Sequence, residues 1–107
     1  MPRRWRIRNR REYVWLQRDG RRRSTLHFIV LWRGRTDGVS RLGLTVSRKV
    51  GGAVIRNRVK RRVREWFRRQ RLQLVQARDF VVIARPSAAI LSAAEIAVEL
   101  TQAGRAS

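Results

Sequence analysis

The chain has 107 residues, of which 27 are lysine or arginine and 7 are aspartate or glutamate, giving a formal net charge of +20. At this length we expect one compact domain over residues 1–107, with a modest core. The chain contains no cysteine, no apolar run of about 18 residues and no signal-peptide pattern, so a disulfide framework, a membrane span and secretion are not predicted. A cytoplasmic protein with an anionic partner is expected.

The positive charge is concentrated in two regions. Ten basic residues precede residue 26 and nine lie between Arg56 and Arg71, whereas residues 86–107 carry only Arg105. A membrane-surface protein would also be basic, but it usually shows one strongly amphipathic helix rather than several strand-like segments. The pattern therefore favours a nucleic acid as partner. Since 25 of the 27 basic residues are arginine, codon bias on an ordinary solvated surface is the alternative.

The first half of the chain is predicted to contain a helix and a β-hairpin. A basic arm over about residues 1–8 precedes a helical tendency over about residues 9–17, and Asp19-Gly20 marks a turn. Two segments with alternating apolar residues follow, TLHFIVLW and RLGLTVS, with GRTDG between them as a turn. We expect these two strands to pair with each other.

The second half is predicted to contain a long helix, a strand and a final helix. The long helix covers about residues 53–75, and DFVVIA has the composition of a strand. SAAEIAVEL is predicted to be the final helix, in which Ser92 and Glu95 form a capping box. Residues 102–107 are expected to fray. The order helix, strands, helix, strand, helix predicts a single α+β domain.

The long helix carries an apolar arc beside a basic flank. Five apolar residues share an arc that can dock on a sheet: Ile55, Val59, Val63, Trp66 and Phe67. The flank is a row spaced by four residues: Arg56, Lys60 and Arg64. The adjoining outward surface holds Asn57, Arg61 and Arg68. Because like charges at this spacing repel one another, a polyphosphate partner gives a physical reason for the row, and a solvated arginine face is the alternative.

The segment SRKVGG leads from the second predicted strand into the start of the long helix. Free backbone N–H groups and the helix dipole favour a phosphate at such a start, and Arg48 and Lys49 stand beside it. A plain turn at Gly51-Gly52 is the commoner explanation. Neither the phosphate-loop spacing nor a dinucleotide fingerprint is present.

RLGLTVSRKVGGAVIRNRVKRRVRE, residues 41–65, resembles the signature of the bacterial ribonuclease P protein subunit, with its Arg-Asn-Arg motif at Arg56-Asn57-Arg58. The resemblance continues through RDFVVIARPSA and through RNRREYVWLQRDG, so it covers nearly the whole chain. It implies a two-layer α/β sandwich with a central four-stranded sheet, the fold described as ribosomal protein domain 2-like. It also implies a left-handed βαβ crossover, although the general rule predicts a right-handed one.

The resemblance implies the small partner of a catalytic RNA that removes the 5′ leader from precursor tRNA by hydrolysing one phosphodiester. The RNA would supply the chemistry, so no catalytic residue and no metal site are expected in the protein. Mg²⁺ would be held mainly by the RNA and the substrate, with no organic cofactor and one protein monomer per RNA. We expect RNA contacts from the motif and its neighbours: Arg48, Lys49, Arg56, Asn57, Arg58, Lys60, Arg61, Arg62, Arg64 and Arg68.

The resemblance further implies a cleft between the sheet and the N-terminal helix that holds the single-stranded leader and indirectly improves magnesium binding. The residues expected to line it are Tyr13, Trp32, Thr45, Ser47, Arg56, Lys60 and Arg64. Gln17 and Leu31 stand where many relatives carry further aromatic residues. Trp32 and Trp15 are either substitutes for these stacking faces or part of the core or surface.

The acidic residues and the single histidine suggest no catalytic constellation. Glu95 and Glu99 are interpreted as a solvated stripe rather than as magnesium ligands, and His27 as a packed or exposed residue rather than a general base.

Two other functions are weighed: a structural ribosomal-type RNA-binding protein without a role in cleavage, and a DNA-binding protein with the long helix in a major groove. No helix-turn-helix, zinc site or zipper is visible, so DNA is not expected as a partner.

Overall fold

The computed structural model describes residues 3–7, 11, 14, 16, 18, 20–74 and 76–105. The strands are β1 (Arg21–Ser24), β2 (Phe28–Gly34), β3 (Arg41–Thr45) and β4 (Arg78–Ala84). The long helix, here called the basic helix (Ala53–Gln70), connects β3 to β4, and the C-terminal helix (Ala93–Arg105) follows β4. Short 3₁₀ turns occupy Arg3–Trp5, Arg71–Gln73 and Pro86–Ile90. The described residues of the predicted N-terminal helix are also helical: Arg11, Val14 and Leu16, followed by Arg18.

The four strands form one sheet in the order β1-β2-β4-β3. β2 runs antiparallel to β1 and β4, whereas β3 runs parallel to β4. The predicted hairpin between the second and third strands is therefore wrong, because β4 lies between them and β2 turns back on β1 instead. Residues 79–82 of β4 are all buried, as expected of a strand covered on both faces. The left hand of the crossover from β3 to β4 stays a prediction.

The main core lies between one face of the sheet and the two long helices. Phe80 on β4 contacts Trp66 and Phe67 of the basic helix edge-on, with ring centroids 5.6 and 6.2 Å apart. Aromatic pairs favour this arrangement because the positive edge of one ring meets the negative face of the other. The predicted apolar arc is confirmed, since all of its members are buried or, for Ile55, packed against the core.

A second, smaller apolar cluster covers the opposite face of the sheet. It consists of Leu31 on β2, Val81 on β4, and Ile7 and Leu16 from the N-terminal region. The Ile7 N–H donates to the carbonyl oxygen of Leu42 at 3.0 Å, so the described part of the N-terminal arm lies along β3. The arm and the N-terminal helical residues therefore define the face on which the family resemblance places a cleft.

The ends of both helices differ from prediction. The basic helix ends at Gln70, five residues earlier than expected. The C-terminal helix continues to Arg105, because Ala103 is buried and the guanidinium of Arg78 donates to the carbonyl oxygen of Gly104 at 3.0 Å. The expected fraying of residues 102–107 stays a prediction, since residues 102–105 are helical here and residues 106–107 lie outside the described residues.

The capping box at the start of the C-terminal helix is confirmed. The Glu95 N–H donates to Ser92 Oγ at 3.1 Å, and the Ser92 N–H donates to Glu95 Oε1 at 2.9 Å. Hydrogen bonds from the Ser92 backbone and side chain lower the pKa of Glu95. Within the described part of the chain, no helix is long and apolar enough to cross a membrane.

Candidate nucleic-acid interface

The basic helix presents three different polar surfaces around its apolar arc. One flank holds Arg56, Lys60 and Arg64, which are all half-buried. The outward surface holds Asn57, Arg61 and Arg68, which are all exposed, as predicted. The other flank holds Arg58 and Arg62. At 100° per residue this last pair lies on the side of the apolar arc opposite Lys60, so the basic residues divide into groups with different surroundings.

Arg58 and Arg62 are anchored within the protein. The guanidinium of Arg58 donates to the carbonyl oxygen of Ala89 at 3.0 Å, and that of Arg62 donates to the carbonyl oxygen of Leu91. Both side chains are half-buried, and both bonds tie the basic helix to the segment between β4 and the C-terminal helix. Both arginines were predicted to bind RNA. The structure adds that each bonds a backbone carbonyl group about 30 positions further along the chain, which the sequence did not indicate.

The remaining basic residues of the flank and outward surface are not neutralised by acids. Arg56, Lys60, Arg61 and Arg64 make no ion pair with any carboxylate of the described residues, whereas Arg68 bonds to Glu65 at 2.6 Å. The hydrogen bond from Arg68 lowers the pKa of Glu65. Positive charge on this side of the helix is thus left for an external anion, apart from the partly balanced charge of Arg68.

The start of the basic helix is open. The Val50 N–H donates to the carbonyl oxygen of Ser47 at 3.1 Å and closes a turn that exposes Arg48 and Lys49. Gly52 occupies the cap position in an extended conformation and offers no side-chain cap. A phosphate oxygen can therefore accept from the first N–H groups of the helix.

Gly51 is required by close packing at this start. A Cβ atom at Gly51 would lie 2.9 Å from the Cβ atom of Ile55, closer than real Cβ contacts. Since Ile55 packs against the main core, it cannot easily move away. The first glycine therefore lets the chain turn tightly into the helix, and this structural reason stands beside any phosphate contact.

The expected leader cleft is defined only in part. Thr45 and Ser47 are exposed at the end of β3 that leads to the basic helix. Tyr13, Trp15 and Gln17 lie outside the described residues. Leu31, at a position where many relatives are expected to carry an aromatic residue, is buried in the second apolar cluster.

Trp32 cannot provide the stacking face predicted for it. Only 4% of its surface is exposed, and it belongs to the main core together with Phe28 and Val30. Because side chains alternate along a strand, Trp32 points to the face opposite Leu31. The prediction placed neighbouring residues of one strand in the same cleft, which strand geometry does not allow.

Arg85 was not singled out from the sequence. It follows β4 with an extended backbone, and its N–H donates to the carbonyl oxygen of His27 at 2.9 Å. Alternation along the chain places its side chain on the same face as Val81 and Ile83, next to Thr45, which is the register partner of Ile83. Its Nε is buried without a hydrogen-bond partner among the described residues, as is the Nε of Arg56. Arg85 is therefore added to the candidate surface beside Arg56, and each has an Nε–H group without a hydrogen-bond partner among the described residues.

Asp79 is the centre of an ion-pair cluster that the sequence did not reveal. Its carboxylate is fully buried and accepts from Arg33 Nε at 3.0 Å, from Arg41 Nε at 2.9 Å, and from Arg35. Burial alone would raise the pKa of Asp79, but the hydrogen bonds from Arg41 and Arg33 outweigh it and lower the pKa. The register of the sheet places Arg33 and Arg41 on either side of Asp79, so the signal lay in strand pairing.

Glu99 is not part of a solvated stripe. It accepts from the His27 N–H at 2.9 Å and from Thr25 Oγ1, and its other oxygen lies 2.6 Å from His27 Nδ1. Burial alone would raise the pKa of Glu99, but the hydrogen bonds from His27 and Thr25 outweigh it and lower the pKa. Glu99 therefore fastens the C-terminal helix to the turn between β1 and β2. Among the described residues, no three His, Asp or Glu side chains are placed to share a metal ion.

Comparisons with known proteins agree with this geometry. The family model described as Ribonuclease P matches residues 1–106. The "Ribonuclease P protein component" of Desulfovibrio desulfuricans is 45% identical over 104 residues, covering 94% of this chain and 80% of the relative. That of Geotalea uraniireducens is 41% identical over 99 residues, covering 92% and 87%.

Solved structures give the same result. An RNase P protein from Thermotoga maritima, in complex with 1-(4-fluorophenyl)-2-thiourea, superposes with a TM-score of 0.82 at 32% identity, covering 94% of this chain and 99% of the other. The Staphylococcus aureus RNase P protein has a TM-score of 0.80 at 29% identity, covering 94% and 93%. The four-stranded α+β fold is shared with both.

Proposed function

This chain belongs to the ribonuclease P protein family, and from that premise we propose that it assists the magnesium-dependent removal of the 5′ leader from precursor tRNA. It is a protein subunit of ribonuclease P, and its partner is the ribonuclease P RNA. In the proposal the RNA subunit carries out the hydrolysis of the phosphodiester. One protein monomer binds one RNA, and the assembly acts in the cytoplasm.

The observation that carries the proposal is the open, unneutralised surface around the start of the basic helix. Arg61 and the flank of Arg56, Lys60 and Arg64 make no ion pair with a carboxylate of the described residues, and no side chain caps the helix. Elsewhere the protein does neutralise arginines, as Asp79 does for Arg41. The charges at the helix therefore suit phosphate groups of an RNA.

The proposal divides this surface between two RNA ligands. The outward residues Asn57 and Arg61, with Arg48 and Lys49 at the turn, contact the ribonuclease P RNA. The flank residues, together with the hydroxyls of Thr45 and Ser47 and with Tyr13, hold the single-stranded leader. Arg85, on the same face as Thr45, adds a further cation to the leader path.

The magnesium ions of the proposed reaction are held by the RNA and the substrate. The described residues provide no cluster of three carboxylate or imidazole groups, so a protein-bound ion is not part of the proposal. The contribution of the protein is counter-charge near the leader, which lowers the repulsion between phosphates and so allows the RNA to work at lower Mg²⁺.

The test is reconstitution. The protein is mixed with a bacterial ribonuclease P RNA at low Mg²⁺, and cleavage of precursor tRNA is measured for each component and for the mixture. Cleavage is expected only in the mixture, and a variant with Lys60→Gln and Arg64→Gln should rescue it less than a charge-matched variant with Arg4→Gln and Arg6→Gln. Robust cleavage by the protein alone, or no rescue by the mixture, would contradict the proposal.

A structural RNA-binding protein without a role in cleavage is the second candidate. The same unneutralised helix surface would serve it, because phosphate contacts alone do not distinguish the two functions. The reconstitution separates them: such a protein would bind the RNA with similar affinity and leave the cleavage rate at low Mg²⁺ unchanged.

A further inference from the structure

A second positively charged site lies away from the basic helix, in a pocket of about 340 Å³ at one end of the sheet. Three arginines line it: Arg21 of β1, Arg33 of β2 and Arg78 of β4. Gln76 adds a side-chain amide, and among the described residues no carboxylate lines the pocket, although Arg33 shares its charge with Asp79. A liquid water occupies about 30 Å³, so the pocket has room for a phosphate group together with part of a nucleoside.

The topology of the sheet separates this pocket from the start of the basic helix. β3 and β4 are parallel, so Arg78 lies at the end where β3 begins, with Arg41. The signature glycines follow the other end of β3, beyond Thr45. An anion bound in the pocket is therefore at the end of the sheet opposite the helix start and cannot be the phosphate favoured there.

Two of the three cations are held in place by the protein. Arg33 Nε donates to Asp79 Oδ2 at 3.0 Å. The Arg78 guanidinium donates to the carbonyl oxygen of Gly104 at 3.0 Å, and its backbone N–H donates to Ser40 Oγ at 3.1 Å. Fixed donors lose little conformational entropy when an anion binds, which favours recognition over loose association.

Arg21 is different, because its side chain is exposed and makes no hydrogen bond or ion pair with the described residues. The same holds for Arg22 and Arg23, which complete the edge strand. β1 buries no side chain, so its three successive arginines are not explained by packing. Charge on an edge strand prevents pairing with other sheets, but three adjacent cations beside a pocket lined by two more exceed that need.

We propose that this pocket binds a phosphate group of an RNA strand, and that Arg21 and Arg23, which share one face of β1, contact the phosphates that follow along the sheet edge. The proposal rests on the proposed function only in taking RNA as the ligand. It gives the protein a second RNA-binding surface, on the edge of the sheet opposite β3, so that one subunit can hold a further RNA segment besides the two proposed at the basic helix.

Gly34 keeps the pocket open. A Cβ atom at Gly34 would lie 3.1 to 3.2 Å from the side-chain amide of Gln76, tighter than most real contacts. A side chain at this position would require the amide of the exposed Gln76 to shift by a few tenths of an ångström at the wall of the pocket.

The experiment compares two charge-matched variants of the full chain. One carries Arg21→Gln and Arg23→Gln, two exposed residues on the same face of β1. The control carries Arg4→Gln and Arg6→Gln, which are exposed on the arm along β3, at the other edge of the sheet. Melting temperatures confirm that both variants are folded, and dissociation constants are measured between about 0.05 and 0.2 M salt.

Two probes are used: a bacterial ribonuclease P RNA and a 12-nucleotide oligouridylate, a length on the order of one single-strand binding site. Losing two phosphate contacts should lower the slope of log K against log salt by about 1.4 and weaken binding roughly ten-fold near physiological salt. The control should lose much less. Cleavage of precursor tRNA at low Mg²⁺ is followed in parallel.

The outcomes are distinguishable. Equal losses in the two variants, or no loss in the β1 variant, would refute the pocket while leaving rescue of cleavage by the unmodified protein intact. Selective loss of oligouridylate binding in the β1 variant would support the pocket even if the unmodified protein failed to rescue cleavage, and that failure would refute only the proposed function. Binding of anionic lipid vesicles that depends on Arg21 and Arg23, without a change for either RNA, would also overturn the proposal.

Discussion

Arg58 and Ala89 join the Arg-Asn-Arg motif to the segment before the C-terminal helix, through a hydrogen bond of 3.0 Å from the guanidinium to the carbonyl oxygen. Arg56, two positions earlier, lies on the opposite flank and makes no such bond within the described residues. The two arginines of one motif therefore have different surroundings. Arg58 bonds the protein's own backbone, whereas Arg56 has no such bond within the described residues, and its contact with a ligand stays a proposal.

Replacing Arg58 with alanine should lower the free energy of unfolding by about 1 to 3 kcal/mol, because the carbonyl oxygen of Ala89 loses a charged donor in a half-buried site. Arg61→Ala is the matched control, since Arg61 is exposed on the same helix and should change stability by about 0.5 kcal/mol at most. Urea unfolding measures both. Equal stability of the two variants would show that the Arg58 bond does not contribute.

Asp79→Asn should be the most damaging substitution outside the apolar core. Removing one partner of a buried ion pair typically costs about 3 to 5 kcal/mol, and here the guanidinium groups of Arg33 and Arg41 would lose their shared carboxylate. Asp37→Asn is the control, because Asp37 is exposed and, among the described residues, bonds only Arg35 and the Val39 N–H. It should have a much smaller effect on urea unfolding.

The same cluster predicts acid sensitivity. Since the pKa of Asp79 is lowered in the folded protein, its carboxylate contributes stability that is fully present above the unfolded value of about 3.9. That contribution is lost as the pH falls through the lower folded value. Unfolding followed between neutral pH and about pH 2 should therefore show a steeper loss for the unmodified protein than for Asp79→Asn. Parallel curves would argue against this source of acid sensitivity.

The features that the sequence predicted correctly are local ones. The apolar arc around Val59 and the capping box at Ser92 depend on spacings of three or four residues, which are visible in the chain itself. β1 was missed because RRRS buries nothing and has no alternating pattern. The place of β4 between β2 and β3 was missed because strand order depends on contacts between distant segments.

In the candidate site, too, the sequence predicted what depends on local spacing and missed what depends on contacts between distant segments. Helical spacing gave the flank of Arg56, Lys60 and Arg64. It could not show that Arg58 bonds a carbonyl about 30 positions away, or that strand alternation points Trp32 into the core. The pocket of Arg21, Arg33 and Arg78 joins residues from three strands, so only the folded structure brings it together.

Glu99→Gln should loosen the contact between the C-terminal helix and the turn before β2. Its carboxylate accepts from Thr25 and His27, and hydrogen bonds to a charged acceptor contribute about 1.5 to 3 kcal/mol each at most. We expect a loss of roughly 1 to 3 kcal/mol in urea unfolding at neutral pH. The lowered pKa of Glu99 means that the difference should shrink as the pH falls below the ordinary glutamate range. Glu95→Gln, which preserves the capping box, should leave stability nearly unchanged.

The affinity of the protein for ribonuclease P RNA should fall steeply with salt. If about six phosphates are neutralised by the basic helix and its turn, the slope of log K against log salt is on the order of −4 to −5. Dissociation constants measured at several salt concentrations give the slope directly. A nearly flat response would mean that the unneutralised arginines are solvated surface and not an RNA contact.

The last prediction concerns the division between leader and ribonuclease P RNA on the basic helix. Lys60 is half-buried on the flank with Arg56 and Arg64, whereas Arg61 is exposed on the outward surface. Lys60→Ala should therefore weaken binding of leader-bearing precursor tRNA by the assembled enzyme and barely change binding of mature tRNA, which has no leader. Tyr13→Ala, at a position outside the described residues, should do the same, by about 1 to 3 kcal/mol if it stacks on a base.

Arg61→Ala is the contrasting variant. Because its side chain points away from the flank, it should weaken assembly with the ribonuclease P RNA and so affect precursor and mature tRNA alike when RNA is limiting. Saturating RNA should restore both affinities. The decisive measurement is the dissociation constant for mature tRNA divided by that for precursor tRNA, at fixed salt and saturating ribonuclease P RNA. This ratio should fall toward one for Lys60→Ala and keep the value of the unmodified protein for Arg61→Ala. An unchanged ratio for Lys60→Ala would remove the flank from the leader path, because a contact with the leader must discriminate between a substrate that has one and a product that does not.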